Sequence, residues 1–171
     1  SFLSYIKSIK AVSKKNNYFK SLLINGELTF DISLADFAFA IVYKSKIIVT
    51  ENSNNLILLF YLIKKYYPEA IYAVPTTWER IIHFSKNFRD IKFDKIKYLN
   101  SGGEVLKKNL VSKMYKIFPK SRITNFYGPT EFTINASFFQ ISKRNFAKYE
   151  VMPLGKMLPG VKMKILYHKN N

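Results

Sequence analysis

From about residue 46 the chain alternates short β-branched runs with longer stretches of helical periodicity, and this alternation leaves few folds open. A strand that continues into a helix and then another strand needs a crossover, so the pattern predicts βαβ units and a parallel sheet. Lys46–Thr50 reads as a strand, and Asn54–Tyr67 as a helix capped by Asn54 or Ser53 and stopped by Pro68. Ala70–Val74 is the next strand, after which Thr76 or Thr77 caps a helix running to about Lys86. Ile96–Leu99 forms a third strand. Leu106, Leu110, Val111, Met114 and Phe118 then recur at helical spacing, marking a helix from about Glu104 to Ile117. Arg122–Asn125 reads as a fourth strand, with Phe132–Ile141 and Val161–Tyr167 as later ones. The expected fold class is α/β: a mostly parallel sheet with helices on both faces, followed by a few C-terminal β-strands, in one unit spanning residues 1–171.

Right-handed crossovers bring the turns after successive strands to one edge of such a sheet, where ligands bind. Pro75–Thr77, Asn100–Glu104 and Phe126–Glu131 would therefore share one crevice. The densest of these turns is Asn125-Phe126-Tyr127-Gly128-Pro129-Thr130-Glu131. Gly128-Pro129 forces a bend, Tyr127 offers a face for a purine, and Thr130 and Glu131 offer oxygens for a phosphate and its Mg²⁺. A surface turn leading into a strand would use the same residues.

Composition narrows the partners. A net charge of +17 points toward polyanions, but the lysines are spread along the chain without a basic tail, so they read as a solvated surface rather than a nucleic-acid site. No apolar run approaches the ~20 residues needed to span a bilayer, and no signal-peptide pattern opens the chain. The absence of cysteine excludes disulfides, cysteine metal sites and a thiol nucleophile, and suits a reducing cytoplasm. His83 and His168 lack partners at informative spacing and read as surface residues, while Trp78 is expected to pack its helix on the sheet.

Three ordered segments carry a resemblance: Phe30-Asp31-Ile32-Ser33, Gly102-Gly103-Glu104-Val105-Leu106 and Asn125–Glu131. Together they resemble the signatures of amino-acid adenylation domains of nonribosomal peptide synthetases and D-alanine:carrier-protein ligases, within the AMP-forming acyl-adenylate ligases. The resemblance implies that the chain takes part in ATP-dependent activation of an amino acid as aminoacyl-AMP, for transfer to a carrier-protein thiol. It assigns Asp31 to the substrate ammonium, an assignment that competes with a plain helix cap. It assigns Gly102, Gly103, Asn125, Tyr127, Gly128 and Thr130 to the nucleotide, Thr130 and Glu131 to the catalytic phosphate, and Glu131 to Mg²⁺. The side-chain pocket would be lined by Ile32, Ala35, Ala73, Leu99, Ser101, Phe126, Ile134 and Asn135, which suits a small neutral amino acid. Glu104 is expected to complement a helix dipole rather than to catalyse.

The same resemblance places the family's phosphate loop before residue 1, and its ribose-binding Asp, hinge and small lysine-bearing domain after residue 171. The chain thus reads as a central piece of a larger N-terminal domain, expected to bind nucleotide weakly and not to turn over alone. Two rivals stay open: an acyl- or aryl-CoA ligase fragment, which has no use for Asp31, and a non-catalytic basic α/β binding module.

Overall fold

The computed structural model describes residues 1–13, 18–25, 31–50, 52, 54–87 and 93–164. Phe30, Ser53, His168 and residues 165–167 of the last expected strand lie outside them. Among the described residues, seven strands form one sheet: β1 (Ser21–Ile24), β2 (Lys46–Val49), β3 (Ala70–Ala73), β4 (Tyr98–Ser101), β5 (Arg122–Tyr127), β6 (Ser137–Ile141) and β7 (Lys156–Met157). The order is β2-β1-β3-β4-β5-β6-β7, parallel through β5 and antiparallel at β6 and β7. The helices are α1 (Phe2–Val12), α2 (Asp31–Tyr43), α3 (Leu56–Tyr66), α4 (Pro75–Ser85) and α5 (Lys108–Ile117).

The connection from β1 moves one way to β2, and the next jumps back over β1 to β3. Right-handed crossovers in opposite directions put their helices on opposite faces. Strand alternation then divides the core in two. Leu23, Ile71, Leu99 and Ile123 pack under α3, α4 and α5, through Phe60, Trp78, Ile81, Val111 and Met114. Leu22, Ala70, Tyr72 and Phe126 pack under α1 and α2, through Ile9, Ala35, Ala38 and Phe39. Trp78 is fully buried and its indole N–H donates to the Asn100 carbonyl (3.1 Å), tying α4 to the sheet as expected. No helix among the described residues is long and apolar enough to cross a membrane.

Several expected boundaries move, each for a local reason. Asn55, not Asn54 or Ser53, caps α3: its Oδ1 accepts from the Leu58 N–H (3.0 Å), while Asn54 Oδ1 accepts from Arg80 Nη1 (2.9 Å). Pro75 rather than Thr76 or Thr77 opens α4, where its missing N–H costs nothing. A 3₁₀ turn at Phe93–Lys95 delays β4 to Tyr98. The expected helix from Glu104 begins only at Lys108, because Gly103 sits at φ +82 and Lys107 is extended and bridged to Val151. A second 3₁₀ turn, Thr130–Phe132, and left-handed Thr133 and Ile134 shorten β6 to Ser137–Ile141. Residues 161–164 are not a strand; β7 takes that edge instead.

Asp36 is a polar residue in the α2 core. It is fully buried, its Oδ1 has no hydrogen-bond partner among the described residues, and burial pushes its carboxyl well above the usual range. The folded chain therefore keeps a proton that the unfolded chain loses near pH 4. Stability is full below that value and falls as pH rises toward the folded value, by up to about 1.4 kcal/mol per pH unit. Asp36→Asn is expected to abolish this slope and to be the more stable protein at pH 7, with the two nearly equal at pH 4. Urea unfolding from pH 4 to 8 checks it; a variant less stable than the parent at pH 7 contradicts it.

Candidate functional site

Strand order reverses between β1 and β3, and the crevice outside their carboxyl ends is the natural ligand position in an open α/β sheet. A cleft of about 580 Å³ lies there. Asn25, Tyr72, Ala73 and Val74 line it from the ends of β1 and β3, and Asp31 and Ile32 from the first turn of α2. Thr77 lines it from α4, Gly103 and Glu104 from beyond β4, and Gly128, Pro129 and Thr130 from beyond β5. The three turns expected to share one crevice thus converge. A larger groove of about 690 Å³ runs between α1 and the Leu158–Val161 turn, but none of its lining residues comes from β1 or β3.

Glu104 has a structural job. Its Oε2 accepts from the Thr76 N–H (3.0 Å) and its Oε1 from the Thr76 hydroxyl (2.9 Å), so it caps α4 from across the cleft instead of opening α5. The small residues make close approach possible. A methyl group at Gly102 would lie 2.5 Å from the Tyr72 hydroxyl and 2.9 Å from the Phe126 carbonyl; one at Gly128 would lie 2.1 Å from the Ile134 carbonyl.

The expected side-chain pocket is brought together only in part. Ile32, Ala35, Phe126 and Ile134 cluster on the α2 side of the sheet, with Asn135 hydrogen-bonded into the same side through Tyr72 and Tyr5. Leu99 does not join them: it is fully buried under α3 to α5. Ser101 and Ala73 pair in register and share that opposite face, although Ala73 reaches the cleft at its strand end. A two-residue strand period makes Tyr72, rather than Ala73, the β3 residue facing α2. Tyr72 was not anticipated, nor was Tyr5. The Tyr72 hydroxyl donates to Asn135 Oδ1 (3.1 Å), and Asn135 Nδ2 donates to the Tyr5 oxygen (2.7 Å). Burial pushes both tyrosine hydroxyls up from their ordinary range. The Tyr72 ring packs on Phe126 and Phe39, with centroids 5.7 and 6.4 Å away.

The nucleotide-side residues are arranged differently. Asn125 is buried, with Nδ2 donating to the Pro153 (3.0 Å) and Met152 (3.4 Å) carbonyls. Tyr127 is exposed at the end of β5. Thr130 and Glu131 are exposed on one 3₁₀ turn, but Thr130 lines the cleft while Glu131 lines the neighbouring groove. Among the described residues no three His, Cys, Asp or Glu side chains gather as a metal site.

A family model described as "AMP-binding enzyme" matches residues 3–171. A plipastatin synthase polypeptide of Bacillus subtilis (strain 168) is 37% identical over 98 residues, covering 57% of this chain and 3% of that protein. The D-alanine–D-alanyl carrier protein ligase of Staphylococcus epidermidis is 30% identical over 77 residues, covering 45% of this chain and 16% of that protein. The chain thus spans only a small part of the relatives it matches. Among solved structures, the Vibrio cholerae adenylation domain AlmE in complex with glycyl-adenosine-5'-phosphate superposes with a TM-score of 0.74 at 19% identity, over 90% of this chain and 28% of that one.

Proposed function

Because the chain belongs to the AMP-binding enzyme family, we propose that it is the central part of a larger ligase that activates an amino acid as its aminoacyl-AMP and passes it to a carrier-protein thiol. The observation that carries this reading is the convergence of Asp31 with Gly103, Gly128 and Thr130 on one cleft at the switch point. Such a cleft offers a counter-charge for an ammonium beside small residues and a hydroxyl for a nucleotide phosphate. The similarity to a D-alanyl carrier protein ligase supports the carrier thiol as acceptor.

The residues divide the work. Asp31 holds the substrate ammonium, which would be costly to desolvate without a counter-charge. Gly102 and Gly103 let the backbone approach the adenosine, and Tyr127 packs against the adenine ring. With its amide N–H groups committed to the Pro153 and Met152 carbonyls, Asn125 is left to accept, through Oδ1, from the adenine amino group. Gly128 holds the turn that presents Thr130, whose hydroxyl donates to the α-phosphate as the substrate carboxylate attacks. Glu131 lines the neighbouring groove but stands next to Thr130 on the same 3₁₀ turn, and as an exposed carboxylate it would hold Mg²⁺, a cation bound by one or two carboxylates together with substrate phosphates. When bound, Mg²⁺ would offset charge on those phosphates.

Tyr72, Phe126 and Phe39 fill the floor between α2 and the sheet, so we assign a small neutral amino acid. We assign the reaction to the cytoplasm, a compartment that an ATP requirement and a cysteine-free chain suit. A single adenylation-domain unit over residues 1–171 is part of the same reading. ATP–pyrophosphate exchange by the full-length protein across a panel of amino acids tests it. Exchange with glycine or alanine well above that with leucine or lysine is expected; exchange driven only by acids lacking an amino group would favour the acyl-ligase reading.

A further inference from the structure

Asn25 follows β1 at the switch point and is 3% exposed, yet among the described residues neither its Nδ2 nor its Oδ1 has a hydrogen-bond partner. A buried amide left unpaired is costly, and native cores rarely tolerate one without a reason. The register that pairs Ile24 with Tyr72, carried one residue further, sets Asn25 beside Ala73, and Asn25, Tyr72 and Ala73 all line the cleft. Asp31, which also lines the cleft, supplies charge there but no donor; Asn25 supplies both a donor and an acceptor.

We infer that Asn25 is a substrate-binding residue whose carboxamide is satisfied by the head group of the amino acid, Nδ2 donating to the carboxylate and Oδ1 accepting from the ammonium. The inference rests on the proposed function, because only a zwitterionic substrate presents both groups. An α-amino acid then supplies both hydrogen bonds that the free protein lacks, and a fatty or aryl acid supplies one of them. The free protein carries the unpaired amide as a stability cost that the ligand relieves.

Asn25→Leu, which keeps the side-chain size and removes both polar atoms, tests this in the full-length protein. The expected result is an unfolding temperature no lower than that of the parent, a KM for the amino acid raised about tenfold or more, and a KM for ATP changed less than about twofold. An unchanged amino-acid KM overturns the inference, as does a lowered unfolding temperature with both KM values raised together, which marks a structural residue. If Asn25→Leu does not fold, the Asn25 side-chain amide NMR signal of the parent is followed on adding glycine and AMP. A shift supports the assignment and its absence overturns it. The parent's own exchange activity keeps the two readings apart: if it activates no amino acid, the proposed function fails and this inference with it, whereas an active parent matched by an equally active Asn25→Leu sinks this inference alone.

Discussion

Replacing Asp31 with alanine is expected to lower kcat/KM for amino-acid-dependent ATP–pyrophosphate exchange on the order of 10²–10⁴-fold, the kinetic equivalent of the about 3–5 kcal/mol lost when one partner of a buried ion pair is removed. Among the described residues two carboxylates line the cleft, Asp31 and Glu104, and the second is engaged by the N–H and hydroxyl of Thr76. Asp31 is therefore the carboxylate left for an ammonium. It sits at the first position of α2, so its removal also takes an anion from a helix N-terminus, a loss of about 1 kcal/mol at most. The variant should fold, melt within a few degrees of the parent and keep its KM for ATP. Steady-state exchange with glycine or alanine as variable substrate measures the effect, and a change of less than threefold would return Asp31 to the role of a helix-start residue.

Gly128→Ala is expected to destabilise the fold by about 3 kcal/mol, the upper end of what overpacking a tight site costs. The added methyl would lie 2.1 Å from the Ile134 carbonyl oxygen and 2.6 Å from the Asn135 Cα, and both are backbone atoms with little room to yield. The segment they belong to is pinned by the Ala136 N–H to the Tyr127 carbonyl (2.7 Å) and by the Leu158 N–H to the Ala136 carbonyl (2.8 Å). The φ of Gly128 is not left-handed, so the effect is one of space rather than backbone preference. Relief of the clash would pull Asn135 away from Tyr72 and shift Thr130, so activity should fall with stability. Urea unfolding measures the first; a loss under 0.5 kcal/mol would contradict the close packing of this turn.

What could be read from the chain was what its neighbours in sequence decide. Asn125–Glu131 is contiguous, and its chemistry and its place at the end of a strand were both legible. Ile47-Ile48-Val49 and Ile71-Tyr72-Ala73, each followed by a periodic helix, made the parallel sheet legible too. The first 45 residues gave little: Leu22-Leu23-Ile24 is a short apolar run without alternation, and α2 is apolar nearly all round because it carries few polar residues after Asp36. Helix starts were misplaced where the cap comes from far away, as Glu104 reaches α4, or where a left-handed glycine delays the helix, as Gly103 does before α5. The pocket wall was the hardest part. Leu99 lies on the opposite face, one position off the strand period, whereas Ala73 reaches the cleft only because it ends its strand, and the Tyr72–Asn135–Tyr5 chain joins residues that only folding brings together.

The most direct test of the central claim is to incubate the full-length protein with ATP, Mg²⁺ and an equimolar mixture of glycine, alanine, an aryl acid and a medium-chain fatty acid, and to identify the protein-bound adenylate by mass spectrometry. Glycyl- or alanyl-AMP as the dominant species is the predicted result. An aryl- or fatty-acyl-AMP in its place, or no adenylate at all, would contradict an amino-acid-activating site built around Asp31.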